Sequence, residues 1–229
     1  INELYQAADS LRHQQQQNNV TLSVSTAFAT YWLLPRIARF KQHHPGINLR
    51  CLTTETDDDR QQDIDLRIPL GGGDWPAYQR WHFSDESVVA VCSRAYLDRA
   101  GTLSGPQDLA DQTLLHLEAN YPQRLDWESW LRHFGVEHQP QGKQFSFNDY
   151  SVVLQAAMED QGIALGWRHI VQPLINDGRL VQALDLVHTS RNPFYILAPR
   201  SPALSPATEC LRNWLITEVN QSMADQDYR

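Results

Sequence analysis

The chain has 229 residues, 41% of them hydrophobic, enough to bury the core of one large domain or two small lobes, and no apolar run reaches the roughly 18 residues of a membrane span. Lys and Arg number 19 against 27 Asp and Glu, a net charge of −8, which is the wrong sign for a surface that grips DNA phosphates. Three cysteines, Cys51, Cys92 and Cys210, with no CxxC spacing, argue against a disulfide framework and fit a reducing cytoplasm.

Residues 1 to 17 predict a helix, because Ile1, Leu4, Ala8 and Leu11 share one stripe before a glutamine run and Asn18-Asn19 end it. The chain starts at Ile1 rather than Met, so a preceding segment is expected. The stretch from Val20 to Leu52 organises the rest of the chain. Val20, Leu22 and Val24 alternate with Thr21, Ser23 and Ser25 as a strand. A hydroxyl-rich turn, Ser25 to Thr30, leads into a helix over 31–43, which His44-Pro45-Gly46 stops. Ile47, Leu49 and Cys51 alternate again. Strand, helix and strand with short links predict a right-handed parallel crossover. Its turn offers a helix N-terminus with free N–H groups beside Ser25, Thr26 and Thr30, which can either cap the helix or bind an anion.

Asp57-Asp58-Asp59 lacks the Gly and bidentate Glu of a calcium loop and reads as a solvated connector. A third strand is expected over 63–68, ended by Pro69 and a triple glycine that is no phosphate loop, since no Gly-Lys-Ser/Thr follows. Trp75, Tyr78, Trp81 and His82 precede Phe83-Ser84-Asp85-Glu86-Ser87. Val88 to Cys92 is a buried central strand, followed by helices over 95–100 and from Pro106, a strand at 114–117 and a helix carrying Trp127, Trp130, Leu131 and Phe134. Phe145 to Phe147 is a strand. Asn148 or Asp149 then caps a helix over 152–161, with Tyr150 and Ser151 in its opening turn. Ile163 to Trp167 and Leu180 to Leu184 are strands around a helix at 170–176. Phe194 to Ala198 is the last strand, Pro206 to Val219 the closing helix, and 220–229 a disordered tail.

The hydroxyl turn, YWLLPRIARFKQHHPGINLRC, DIDLRI, FSDESVVAVCSRAYL, LQAAMEDQGIALGW and DGRLVQAL, in that order, resemble the effector-binding domain of LysR-type transcriptional regulators over roughly residues 20 to 219. DIDLRI and DGRLVQAL are most similar to the subgroup of glycine-cleavage and β-lactamase regulators. The resemblance implies an α/β fold of two Rossmann-like lobes with a cleft between them, the type II periplasmic-binding-protein topology. It places the end of a linker helix at 1–19, lobe I at 20–88 plus 192–219, and lobe II at 89–191. It implies a small-molecule effector in the cleft and no cofactor. It also implies a homodimer or homotetramer built by the helix over 31–43 against a neighbour's second lobe. DNA would be contacted only through a missing N-terminal winged helix-turn-helix. Thr54 matches a family position that often contacts ligand.

Small ligands bind where parallel strands end and helices begin. The turns Ser25–Phe28 and Asn148–Ser151 are expected to face the cleft from opposite lobes, two helix N-termini suited to a carboxylate. The candidate ligand-binding residues are therefore Ser25, Thr26, Phe28, Thr54, Asn148, Asp149, Tyr150 and Trp167. Were two or three of Trp75, Trp81, Tyr121 and Trp167 to line the cleft, a cationic head group such as a quaternary amine would fit. No HExxH, GxSxG, GxGxxG or GxxxxGK[ST] occurs, and neither a catalytic nor a metal-binding residue is assigned. The rivals are a transport solute-binding protein and a small α/β enzyme of amino-acid metabolism.

Overall fold

The computed structural model describes residues 18–54, 63–71, 75–118, 124–137 and 144–224. The expected helix over 1–17, the acidic run at 57–59, Tyr121 and the end of the tail lie outside the described residues. Along the chain come β1 (Asn19–Val24), a π-helical turn (Phe28–Leu33) running into α1 (Leu34–His43), β2 (Asn48–Thr53), β3 (Leu66–Arg67), β4 (Tyr78–Ser84) and β5 (Ser87–Cys92). Next are α2 (Arg94–Ala100), α3 (Pro106–Leu109), β6 (Leu114–Leu117), α4 (Trp127–His133), β7 (Gln144–Phe147), α5 (Tyr150–Met158) and β8 (Ile163–Trp167). The chain closes with α6 (Arg168–Asn176), β9 (Val181–Thr189), β10 (Phe194–Pro199) and α7 (Pro206–Ala224).

Backbone contacts divide the chain into two units. Unit 1 holds the chain up to Val24, Arg36–Ser84 and the chain from Pro193; unit 2 holds Ser25–Pro35 and Asp85–Asn192. Each contains one five-stranded sheet, ordered β2-β1-β3-β10-β4 in the first and β7-β6-β8-β5-β9 in the second. Both sheets share one plan. Three parallel strands come first, β2, β1 and β3 in one sheet and β7, β6 and β8 in the other. The fourth runs against them, and it is the first strand formed after the chain crosses between units: β5 after Ser84, β10 after Asn192.

Alternation sets the first sheet. Val20 and Leu22 are fully buried, while Asn19 is exposed and Thr21 half-buried. The strand expected over 63–68 shrinks to Leu66–Arg67 because Asp65 interrupts the ladder. Its carboxyl accepts the Thr21 N–H at 2.7 Å, and Asp63 before it has a φ of +74°. Gly71 donates its N–H to the Pro193 carbonyl at 2.7 Å, and a Cβ there would lie 2.5 Å from the same oxygen, so the close approach demands glycine. The closing helix runs on to Ala224, through the first half of the expected tail.

In the second sheet β5 and β8 are almost wholly buried, from Val88 to Cys92 and from Ile163 to Trp167. Trp127 and Trp130 of α4 pack edge to face at 5.7 Å, and their indole N–H groups reach the carbonyls of Leu115 and Val88. Side-chain caps start three of the helices: Ser93 accepts from Tyr96, Asp126 from Ser129 and Asp149 from Ser151.

Candidate functional site

The hydroxyl turn is shorter than expected. The Ser25 hydroxyl accepts the Phe28 N–H at 3.2 Å and its carbonyl accepts the Ala29 N–H at 3.0 Å, so Ser25 caps a helix that begins at Thr26. The turn then widens to the π form over Phe28–Leu33, directly before Pro35. A proline ring clashes with the carbonyl four residues back, and a wider turn relieves that clash. Phe28 is 3% exposed and stacks on Trp32 at 4.8 Å, with the His169 ring 6.5 Å away.

The two turns were expected on opposite lobes. By contacts both belong to unit 2, because Phe28–Leu33 packs on α6 and its Tyr31 hydroxyl donates to the Ser151 carbonyl at 3.4 Å, in the first turn of α5. At that turn the Asp149 side chain accepts both the Ser151 N–H, at 2.7 Å, and the Ser151 hydroxyl. Asn148 beside it is exposed. The N-terminus of α5 thus already holds a carboxyl cap, and its dipole alone offers an anion little.

Tyr150 is buried, and its hydroxyl is used twice: it donates to the Leu165 carbonyl and accepts the Trp167 N–H, both at 3.0 Å. Burial raises its pKa well above the usual tyrosine value. Trp167 meets Tyr150 edge to face at 4.9 Å and donates its indole N–H to the Glu86 carboxyl at 2.8 Å. These two rings, with His116, Asp126 and Trp127, line a pocket of about 30 Å³. That is room for one or two waters and too little for a metabolite. His116 keeps its Nε2 enclosed without a hydrogen bond, and burial lowers its pKa while Asp126 pulls the other way. Of the aromatic residues considered from sequence, Trp167 lies in unit 2. Trp75 and Trp81 belong to unit 1, where Trp75 meets the edge of Tyr195 and Arg212 covers Trp81 at 4.6 Å.

Sequence reasoning missed four groups here: Tyr31, Glu86, Arg124 and Arg179. Burial raises the Tyr31 pKa, with Arg179 opposing that rise and Asp149 adding to it. Arg124 exerts the corresponding pull on Tyr150. Thr54, at the end of β2 in unit 1, donates its N–H to the Val24 carbonyl at 3.0 Å. Among the described residues no group of three or more His, Cys, Asp or Glu side chains is placed to hold a metal, and no helix is long and apolar enough to cross a membrane.

The family described as LysR substrate binding domain matches residues 13–220. The chain belongs to this LysR family. It is the effector-binding domain of a LysR-type transcriptional regulator, with two α/β units of the type II periplasmic-binding-protein kind. The domain is 33% identical over 222 residues to the glycine cleavage system transcriptional activator of Escherichia coli K12, covering 96% of this chain and 71% of that protein. It is 28% identical over 204 residues to the transcriptional activator AmpR of Providencia stuartii, covering 88% and 66%. Among solved structures the effector domain of AmpR from Pseudomonas aeruginosa superposes with a TM-score of 0.74 at 22% identity, covering 91% of this chain and 98% of that one. These relatives are transcriptional regulators, not enzymes.

Proposed function

We propose that this LysR domain binds a small carboxylate effector in unit 2, where Tyr31 meets the start of α5, and that binding controls a DNA-binding domain preceding it in the full regulator. The observation that carries this reading is the Tyr31–Ser151 hydrogen bond, which joins the helical turn following Ser25–Phe28 to the second turn singled out from sequence. Ser25, Thr26, Phe28, Asn148, Asp149, Tyr150 and Trp167 all lie in the same unit as that junction. Since Asp149 already caps the helix, Arg124 and Arg179 supply the positive charge a carboxylate needs. The ligand would select one of two pre-existing conformations, and the shift in population is the signal.

A panel of glycine and other amino acids, short carboxylates, aromatic acids and choline tests this by thermal melting. At a hundredfold over its dissociation constant a carboxylate adds about 2.7 kcal/mol, a rise of several degrees. Ser25→Ala combined with Thr26→Ala abolishes the rise. A shift with choline alone would overturn the carboxylate class, and no shift with any compound would overturn the site.

The regulator acts in the cytoplasm as a homodimer or homotetramer. Leu34, 62% exposed at the start of α1, and Phe145 and Val152, 46% and 45% exposed on β7 and α5, are the apolar groups such an assembly would cover. Leu34→Glu is expected to shift sedimentation to the monomer; an unchanged sedimentation coefficient would count against this surface.

A further inference from the structure

Glu86 is 2% exposed, yet its two carboxyl oxygens serve two distant elements. One accepts the Trp167 indole N–H at 2.8 Å and the other accepts the Ser190 hydroxyl. The Glu86 backbone carbonyl also accepts the Ser190 N–H at 3.0 Å, and the Ser190 hydroxyl in turn accepts the Asn192 N–H at 3.0 Å.

The places of these residues in the chain give the network its meaning. The longer of the two stretches that form unit 2 opens at Asp85 and closes at Asn192. Glu86 therefore stands within two residues of the first end of that stretch and Ser190 within two residues of the other, and one carboxyl group ties them together. Trp167 ends β8 and forms the pocket wall with Tyr150, whose hydroxyl accepts the Trp167 N–H. A continuous hydrogen-bonded path thus runs from the start of α5 through Tyr150, Trp167, Glu86 and Ser190 to Asn192.

From this arrangement we propose that Glu86 is a positioning residue that couples the Tyr150–Trp167 pocket wall to the two ends of the stretch Asp85–Asn192, where the chain crosses between its units. Movement of Trp167 changes the geometry at one carboxyl oxygen. The carboxyl is planar and rigid, so its other oxygen carries the change to Ser190. Buried hydrogen bonds of this kind have few alternative partners, which makes their two ends interdependent. The inference rests on reading the start of α5, which carries Tyr150, as effector-responsive, but its test needs no effector.

Trp167 and Ser190 share no hydrogen bond with each other; Glu86 is their common partner. A double-mutant cycle of Trp167→Phe and Ser190→Ala, read by urea unfolding, isolates the coupling. With Glu86 present, the double variant departs from the product of the two single effects on the unfolding constant by threefold or more. In a Glu86→Leu background, or Glu86→Gln if the leucine variant does not fold, the departure disappears or shrinks. Amide hydrogen exchange gives a readout that a local anchor would not move: Trp167→Phe speeds exchange at Ser190 and Asn192 about tenfold, and Ser190→Ala does the same at Trp167. Multiplicative effects with exchange changes confined to each variant's own neighbours would overturn the proposal and leave Glu86 as two separate anchors. A failed effector panel with an intact cycle would overturn the effector site and leave the coupling standing.

Discussion

Glu218→Leu is expected to destabilise the domain by about 3 kcal/mol, with the greatest loss of order where α1 meets α7. The Glu218 side chain is only 8% exposed and receives the Arg39 guanidinium at 2.7 Å and that of Arg36 at 3.9 Å. Arg39 is largely open to water, and its share is screened. Arg36 is not: its side chain is 12% exposed, and burial lowers its pKa while Glu218 works in the opposite direction. Removing the carboxylate leaves a desolvated guanidinium beside a leucine. Adding Arg36→Met to Glu218→Leu is expected to recover most of the loss, because an apolar pair of similar volume fills the same space without the desolvation penalty. Urea unfolding of the single and double variants checks both statements. A double variant less stable than Glu218→Leu alone would contradict this account of the pair.

Acid is expected to destabilise the domain through His169, by about 3 kcal/mol between roughly pH 6.5 and 4.5. Both ring nitrogens of His169 are sealed from water although part of the residue surface stays open, and burial pushes its pKa down to about 3. A histidine depressed in this way is neutral in the folded chain while the unfolded chain takes up a proton near pH 6.5. Stability is therefore complete above that pH. It falls as pH drops below it, and keeps falling until the folded form titrates as well. His188 adds loss of the same sign, its pKa lowered by burial and then by His133. His169→Phe keeps a ring beside Phe28 and removes the titrating group, so its stability–pH profile is flatter across this window. An unchanged slope in chemical denaturation would show that His169 carries no such penalty.

How much of this was legible in the sequence depends on how local each interaction is. Alternation gave β1, and a short apolar run gave β8, because nearest-neighbour patterning sets which faces are buried. The strand Tyr78–Ser84 was missed. Among the described residues it is an edge strand paired with β10, and its half-exposed faces carry Gln79, Arg80 and His82 in place of an apolar row. β9 was cut short at Leu184, whereas its pairing with β5 resumes past an irregularity and continues to Thr189. The helix start at Thr26 was masked by a run of hydroxyls that reads equally well as a turn.

The family was readable from the order of its motifs, but the arrangement of the site was not. Nothing local says that Ser25–Pro35 packs with unit 2, since Tyr31 meets Ser151 across 120 residues of chain. The Glu86 carboxyl likewise depends on Trp167, 81 residues on, and on Ser190, 104 residues on. Asp149 was read as a cap, and it is one; the consequence, that the cap itself occupies the dipole end, needed its two contacts with Ser151.

The most direct test of the effector site is an amide and indole NMR titration of the isotope-labelled domain with the carboxylate that gives the largest melting shift. Saturable shifts centred on Ser151, Val152 and the Trp167 indole N–H, and lost in Ser25→Ala with Thr26→Ala, are the predicted result. Shifts confined to unit 1, or none at saturating carboxylate, would contradict it.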